Sequence, residues 1–166
     1  MLVLSLAPKG GEEKIVRATA TLRPDQFGFV EWRMRLGSEY TGQHGDMGLS
    51  LTTSDKSSQP LLFSCFVYRD VRPRVGCEVW GRGSSGAEYA TARTTTLSGY
   101  WHTLRIEISP EIRATFFVDG QEVGSYMPPD AEGLKGKLLS LRLSIYNPEE
   151  EGIMANFDDV RIGNLE

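Results

Sequence analysis

The sequence has few of the side chains on which metal and nucleophile chemistry depends. It contains two histidines, His44 and His102, and two cysteines, Cys65 and Cys77. His44 lies in a glycine-rich segment, and no cysteine or histidine spacing is typical of a zinc site. No Ser-His-Asp or Cys-His arrangement has support, and no phosphate-binding glycine loop occurs. These absences argue against triad hydrolases, zinc enzymes and P-loop proteins.

Long apolar runs and concentrated positive charge are also missing. No stretch approaches the roughly 20 apolar residues that span a bilayer, so membrane insertion is not expected. The segment Met1 to Pro8 lacks the basic region and cleavage site of a signal peptide. With 18 Lys and Arg against 22 Asp and Glu, the formal net charge is −4. Nucleic acid is therefore not an expected partner.

The residues that are present predict strands throughout. Hydrophobic residues make up 40% of the chain, which suits one globular domain over residues 1–166. No segment keeps apolar residues at helical spacing for three turns, whereas short alternating segments recur. Strands are predicted near 14–22, 27–36, 46–53, 60–69, 74–81, 87–95, 101–109, 112–119, 121–126, 137–146 and 153–162. Without a crossover helix, these fit an all-β antiparallel jelly-roll sandwich of two sheets.

Turn and loop signals separate these strands. Asp119-Gly120 stands between two apolar runs, which predicts a tight hairpin whose two turn residues have positive φ. Segments 36–46, 54–60, 81–87 and 127–136 are predicted to be loops.

Alternation assigns the faces of two strands. The core face is predicted to contain Val30, Trp32, Met34 and Leu36 in one strand and His102, Leu104, Ile106 and Ile108 in the other. His102 is accordingly expected to be a packed or strand-end histidine rather than a ligand.

Cys65 and Cys77 flank a hairpin centred near Val71 and should oppose each other. Directly opposed strand residues have Cβ atoms about 4.5 to 5.5 Å apart, which is wide for a disulfide. Two buried free thiols are therefore expected, with the disulfide as the alternative.

The same hairpin has a second face that the core does not explain. Its interior face is filled by Phe63, Cys65, Val67, Val75, Cys77 and Val79, while the reverse mixes aromatic and polar residues. Aromatic rings stack on the apolar face of a sugar, and polar groups pair with its hydroxyls. A glycan site is predicted from Phe66, Tyr68, Arg74, Glu78, Trp80, Tyr89 and Arg93. The alternative is that strands favour aromatic residues without any ligand, and that a loop covers these side chains.

Three segments carry a family resemblance. Gln26 to Leu36, QFGFVEWRMRL, resembles the G-x-x-E-x-R stretch of family-16 glucanases, and Asn156 to Ile162, NFDDVRI, resembles their D-x-V-R-V closing strand. Tyr100 to Ile106, followed by Phe117 to Gly120, resembles the core of laminin-G-like and keto-disaccharide-hydrolase-like sandwiches. The resemblance implies a concanavalin A-like fold with ligands on the concave face or rim loops, and it favours an extracellular or cell-surface location.

The glucanase catalytic motif, E-x-D-x-x-E, is absent. Retaining hydrolysis needs two carboxyl groups about 5 to 5.5 Å apart, and Glu78 is the acid on the predicted face. Glu31 belongs to the motif that is structural in the family. A non-catalytic, lectin-like carbohydrate-binding domain is expected. The alternatives are an unusual glycoside-active enzyme centred on Glu78, and a structural module contacting proteins or other domains of a larger polypeptide.

A structural calcium is also expected from the resemblance. Asp158 shares strand parity with Val160 and Ile162, so it would point to the core unless a bulge intervenes, and a buried charge needs a partner. The matching aspartate of the glucanases helps to hold calcium, so Asp158 is the predicted metal ligand, with Glu12 or Glu13 as helpers. The alternative is that Asp158 caps backbone amides or pairs with an arginine.

Overall fold

The computed structural model describes most of the chain. The described residues are 2–6, 14–22, 28–36, 46–53, 62–69, 73–83, 86–93, 101–128, 131–134, 139–147 and 153–165. In these ranges, no helix is long and apolar enough to cross a membrane.

The described residues form strands joined by turns and one short helix. The strands are β1 (Leu2–Leu6), β2 (Lys14–Leu22), β3 (Phe29–Leu36), β4 (Asp46–Thr53), β5 (Leu62–Arg69), β6 (Pro73–Gly83), β7 (Gly86–Arg93), β8 (His102–Ile108), β9 (Ala114–Val118), β10 (Gln121–Tyr126), β11 (Leu139–Asn147) and β12 (Ile153–Gly163), and the helix α1 is Ala131–Leu134. All eleven predicted strands are present, whereas β1 was not predicted and α1 interrupts the predicted loop 127–136.

The strands form two six-stranded antiparallel sheets, which confirms the predicted jelly-roll sandwich. The first sheet has the order β1-β12-β3-β8-β9-β10, and the second has the order β2-β11-β4-β5-β6-β7. Neighbours such as β3 and β12 are far apart in sequence, as expected for a sandwich in which the chain passes back and forth between two layers.

Both sheets contribute to one buried core. Val30, Trp32 and Met34 of β3 and Leu104 and Ile106 of β8 are at most 1% exposed, as the alternation predicts. The second sheet supplies the alternating apolar residues of β4, β5, β6 and β11 to the same cluster. Burial of each such side chain stabilises the fold by about 1.5 to 3 kcal/mol. Leu36 was predicted for this core, but its side chain lies outside the described set.

The hairpin predictions have mixed outcomes. Asp119 and Gly120 have φ values of 51° and 79°, as predicted for a tight turn. The loop predicted over 81–87 is wrong, because β6 continues to Gly83 and pairs with Gly86 of β7. The segment is rich in glycine and other small residues, which is typical of loops, yet the β6–β7 ladder continues as far as the pair Gly83 and Gly86. Of the other predicted loops, 37–45 and 54–60 lie outside the described residues.

Cys65 and Cys77 form a disulfide, so the expectation of two free thiols is wrong. The two cysteines are direct partners in the β5–β6 ladder, with Cα atoms 4.1 Å apart and sulfurs 2.08 Å apart. The prediction rested on the Cβ separation typical of directly opposed strand residues, about 4.5 to 5.5 Å. Here the Cα separation is that of the closer class of antiparallel pairs, roughly 4.5 Å, which brings the two sulfurs within bonding reach.

Candidate functional site

The second sheet has one face against the core and one turned away, which we call the platform face. Because strand residues alternate, every second residue of β2, β11, β4, β5, β6 and β7 belongs to it. The register aligns one polar row across five strands in the order Arg142, Ser50, Ser64, Glu78 and Thr91. Hydrogen-bonding residues thus cross this face without interruption.

The centre of this row is held by a side-chain hydrogen bond. The Ser64 hydroxyl donates to Oε1 of Glu78 at 3.2 Å, and Ser64 is only 5% exposed. Glu78 is partly buried. The bond orients the carboxylate of Glu78 on the platform face.

All seven predicted ligand-binding residues lie on three adjacent strands of this face. Tyr68 is the partner of Arg74, Trp80 is the partner of Tyr89, and Gly76 lies between Phe66 and Arg93. Phe66 and Arg74 are partly buried. The ladder brings these positions together around Glu78, and their role in ligand binding remains a prediction.

Several platform residues escaped the sequence-based prediction. Ser140, Arg142 and Ser144 of β11 pair with Thr52, Ser50 and Gly48 of β4, more than 80 positions earlier in the chain. Their alternation with Leu139, Leu141 and Leu143 was visible as a strand with one polar face. The sequence contained no indication that this strand lies beside β4.

Thr52 presents an unsatisfied polar group at the same face. Its side chain is 4% exposed, and its hydroxyl oxygen has no hydrogen-bond partner. A buried polar group without a partner costs about 1 to 3 kcal/mol. Thr52 is therefore a buried, unsatisfied polar group beneath the platform face.

The acidic positions of the platform face are far apart. Among its described positions, the acids are Glu78 and Asp46. They are separated by two strand spacings and four residues along the strands, roughly 16 Å. Carboxyl groups of glycoside hydrolases are about 5 to 9.5 Å apart, so this pair does not fit that chemistry.

The outward face of the first sheet has a different character, because Arg33, Arg105 and Arg161 each lie near a carboxylate. Arg105 Nε donates to Glu107 at 2.7 Å, Arg105 Nη1 lies 3.5 Å from Glu31, and its guanidinium lies 3.8 Å from the centroid of the Phe29 ring. Charge-assisted contacts of this kind link β3 and β8.

A second group on this face surrounds Trp101. The guanidinium carbons of Arg33 and Arg35 lie 5.3 and 5.2 Å from the centroid of its ring, within cation–π range. Arg33 also lies 3.4 Å from Asp159. The side chains of this group are therefore engaged in contacts within the protein.

His102 lies at the start of β8 and is partly buried, in agreement with its predicted packed position. Its Nδ1 lies 2.7 Å from Oδ2 of Asp119, whose Oδ1 accepts a hydrogen bond from the backbone N–H of Thr103 at 2.9 Å. His102 therefore supports the β9–β10 turn.

Asp158 lies at a bulge in β12 rather than pointing into the core. Asp158 is the register partner of Arg33, and the next pair joins Arg161 to Glu31. Three residues of β12 thus span two residues of β3, and this extra residue places Asp158 on the opposite face from the one predicted by alternation with Val160 and Ile162. A hydrogen bond with the backbone of Asp159 and the nearby guanidinium of Arg33 are among the interactions that lower the pKa of Asp158, although desolvation opposes them.

The described residues do not assemble a calcium site around Asp158. Calcium takes six to eight oxygen ligands. The described part of the chain contains no group of three or more acidic, histidine or cysteine residues placed to hold a metal. The predicted helpers Glu12 and Glu13 lie outside the described residues, so calcium remains a prediction.

Comparison by sequence gives no relative: no family model matches the chain, and no curated protein matches it. Solved structures do match. An alginate lyase from Pseudomonas aeruginosa matches with a TM-score of 0.59 and 14% identity over 83% of this chain and 64% of that one. The family 16 glycoside hydrolase of the Bacteroides ovatus mixed-linkage glucan PUL, in complex with a G4G4G3G product, has a TM-score of 0.69 and 10% identity over 96% of this chain and 79% of its own.

An endo-β-1,4-glucuronan lyase from the fungus Trichoderma reesei matches with a TM-score of 0.70 and 10% identity, over 98% of this chain and 80% of that one. The chain thus spans 64% to 80% of the length of these three proteins. At such low identity the likeness concerns architecture alone, and it identifies the fold of this chain as the concanavalin A-like jelly-roll sandwich.

Proposed function

We propose that this domain binds a glycan on the platform face without cleaving it. The observation that carries the proposal is the polar row from Arg142 to Thr91, which crosses five strands between aromatic positions. Tyr68 stands on one side of the row, and Trp80 and Tyr89 stand on the other.

This arrangement suits the chemistry of a sugar chain. Each sugar has an apolar face that stacks on an aromatic ring and hydroxyls that need both donors and acceptors. Tyr68, Trp80, Phe66 and Tyr89 would provide the stacking. Glu78 accepts hydrogen bonds from hydroxyls, and Arg74 and Arg93 donate to them.

Two observations support binding without hydrolysis. The E-x-D-x-x-E motif is absent from the sequence, and Glu78 and Asp46 lie too far apart to act as a catalytic pair. The matching structures are of two lyases and a glycoside hydrolase, which supports a carbohydrate as the ligand.

We also propose an extracellular or cell-surface location. The disulfide between Cys65 and Cys77 supports it, because disulfides persist in oxidising compartments.

A glycan array with the purified domain tests the proposal. Glu78→Gln and Trp80→Ala, which change the platform face, are expected to weaken binding roughly tenfold or more. Trp101→Ala on the opposite sheet serves as the matched control and should bind as the parent does. Silence across the array would reject glycan binding and favour a structural or protein-interaction module.

Two further arms accompany the array. Release of reducing ends from any bound glycan would contradict the non-catalytic part of the proposal, and loss of that activity in Glu78→Gln would locate it. Repeating the array with calcium and with chelator tests whether the domain holds a structural calcium. If it does, chelator should weaken glycan binding or lower the Tm, and Asp158→Asn should have the same effect.

A further inference from the structure

The platform face carries excess positive charge although the chain as a whole is acidic. The formal net charge of the protein is −4. The register places five arginines but two acids, Glu78 and Asp46, among the described positions of this face. The five are Arg17, Arg74, Arg82, Arg93 and Arg142. Among the described positions of this face, arginine positions therefore outnumber acidic positions.

Two of these arginines have no counter-ion among the residues that the structure describes. Arg74 and Arg142 are partly buried, and neither makes an ion pair with any carboxylate in the described part of the chain. Arg33 and Arg105 on the first sheet, by contrast, each lie beside a carboxylate. Removing a guanidinium from water without a partner is unfavourable, so an anionic ligand would bind Arg74 and Arg142 with a net gain.

The spacing of Arg74 and Arg142 indicates a ligand with repeated charges. They are three strand spacings and four residues apart, which is roughly 20 Å. One small anion cannot bridge that distance, whereas separate acidic groups along an extended polymer can. The polar row lies on the same face and would pair with hydroxyls of that polymer.

We propose that the ligand is an anionic polysaccharide, with carboxylate or sulfate groups bound by Arg74 and Arg142. This inference rests on the proposed glycan-binding function and narrows its ligand class. The planar guanidinium presents two parallel N–H donors that match a carboxylate or sulfate.

The test compares polymers that differ in charge alone. A glucuronan is measured beside its carboxyl-reduced form, and a sulfated galactan is measured beside its desulfated form, each by titration calorimetry at low and high salt. At least one anionic polymer is expected to bind about tenfold tighter than its neutral counterpart, with the advantage reduced at high salt. The two pairs show whether the anionic group is a carboxylate or a sulfate.

Matched variants locate the effect. Arg142→Gln and Arg74→Gln should each weaken binding of the anionic polymer about tenfold and weaken binding of the neutral polymer much less, because the neutral polymer loses a hydrogen bond but no ion pair. Arg142→Lys, which keeps the charge, should lose less than Arg142→Gln. Arg35→Gln is the control, because exposed Arg35 on the first sheet contributes the same charge without a carboxylate partner. Equal Tm values show that the variants are folded.

The outcomes separate this inference from the proposed function. Equal binding of charged and neutral polymers, or an equal loss in Arg35→Gln and Arg142→Gln, would overturn the anionic ligand while leaving glycan binding intact. Binding of neither polymer, together with a silent array, would overturn both.

Discussion

Gly48 shows how one residue sets the spacing of two strands. A Cβ atom at this position would lie 2.6 Å from Phe66 Cα and even closer to the carbonyl oxygen of Cys65. Both are backbone atoms, so β4 and β5 would have to separate to accept a side chain. Gly48 also belongs to the platform face, opposite Phe66.

Gly48→Ala is therefore expected to lower the free energy of unfolding by about 1 to 3 kcal/mol through overpacking. Ser50→Ala is the control, because Ser50 is on the same strand and face but is partly exposed, and its change should stay within about 0.5 kcal/mol. Urea denaturation measures both. If the two variants were equally stable, the close approach at Gly48 would not be what constrains the strands.

Two buried polar atoms are also instructive at this scale. Trp32 Nε1 and Thr52 Oγ1 have no hydrogen-bond partner. Trp32 is enclosed in the apolar core, where its ring fills a large volume but its N–H is buried without a hydrogen bond, which lowers the stability of the fold. Thr52 has the same deficiency on the side of β4 that faces away from the core, and its hydroxyl is buried as well.

At the scale of elements, the β5–β6 hairpin is the central unit of the second sheet. The disulfide joins its strands across 12 positions, and the same two strands carry five of the seven predicted ligand-binding residues. The covalent link and the candidate site thus share one element.

Breaking the disulfide is expected to destabilise the domain by about 2 to 4 kcal/mol, because the unfolded chain regains the conformational entropy that the cross-link removes. Denaturation with and without reductant measures the difference. The double variant Cys65→Ala/Cys77→Ala should be insensitive to reductant. A parent protein equally stable in both conditions would show that the disulfide contributes nothing to its stability.

The platform face depends on elements that meet from distant parts of the chain. Strand β11 lies between β2 and β4, so Arg142 stands beside Ser50 although 92 residues separate them in sequence. A change that displaces β11 would therefore remove Arg142 from the polar row without touching the hairpin.

For the molecule as a whole, the two sheets share one core, and the apolar face of each sheet is buried by the other. Residues from both sheets make up the same buried cluster. Separating the sheets would expose both inner faces to water together, which favours unfolding in a single step.

Urea unfolding is accordingly expected to give coincident transitions by far-ultraviolet circular dichroism and tryptophan fluorescence. Trp32, which is 0% exposed, reports the core. Two separated transitions would contradict the prediction of one domain over residues 1–166. Measuring Trp101→Phe in parallel removes the contribution of the tryptophan on the outward face of the first sheet.

The sequence by itself determined eleven of the twelve described strands, most of their faces and the Asp119-Gly120 turn. These features are local, because alternation of apolar and polar residues and the backbone preference of an Asp-Gly pair act within a few residues. The tertiary structure decided features that depend on which strands become neighbours. It places Arg142 beside Ser50, brings Cys65 within bonding distance of Cys77, and pairs the unpredicted strand β1 with β12. It also turns Asp158 outward through a bulge, because the extra residue of β12 is defined only by its pairing with β3.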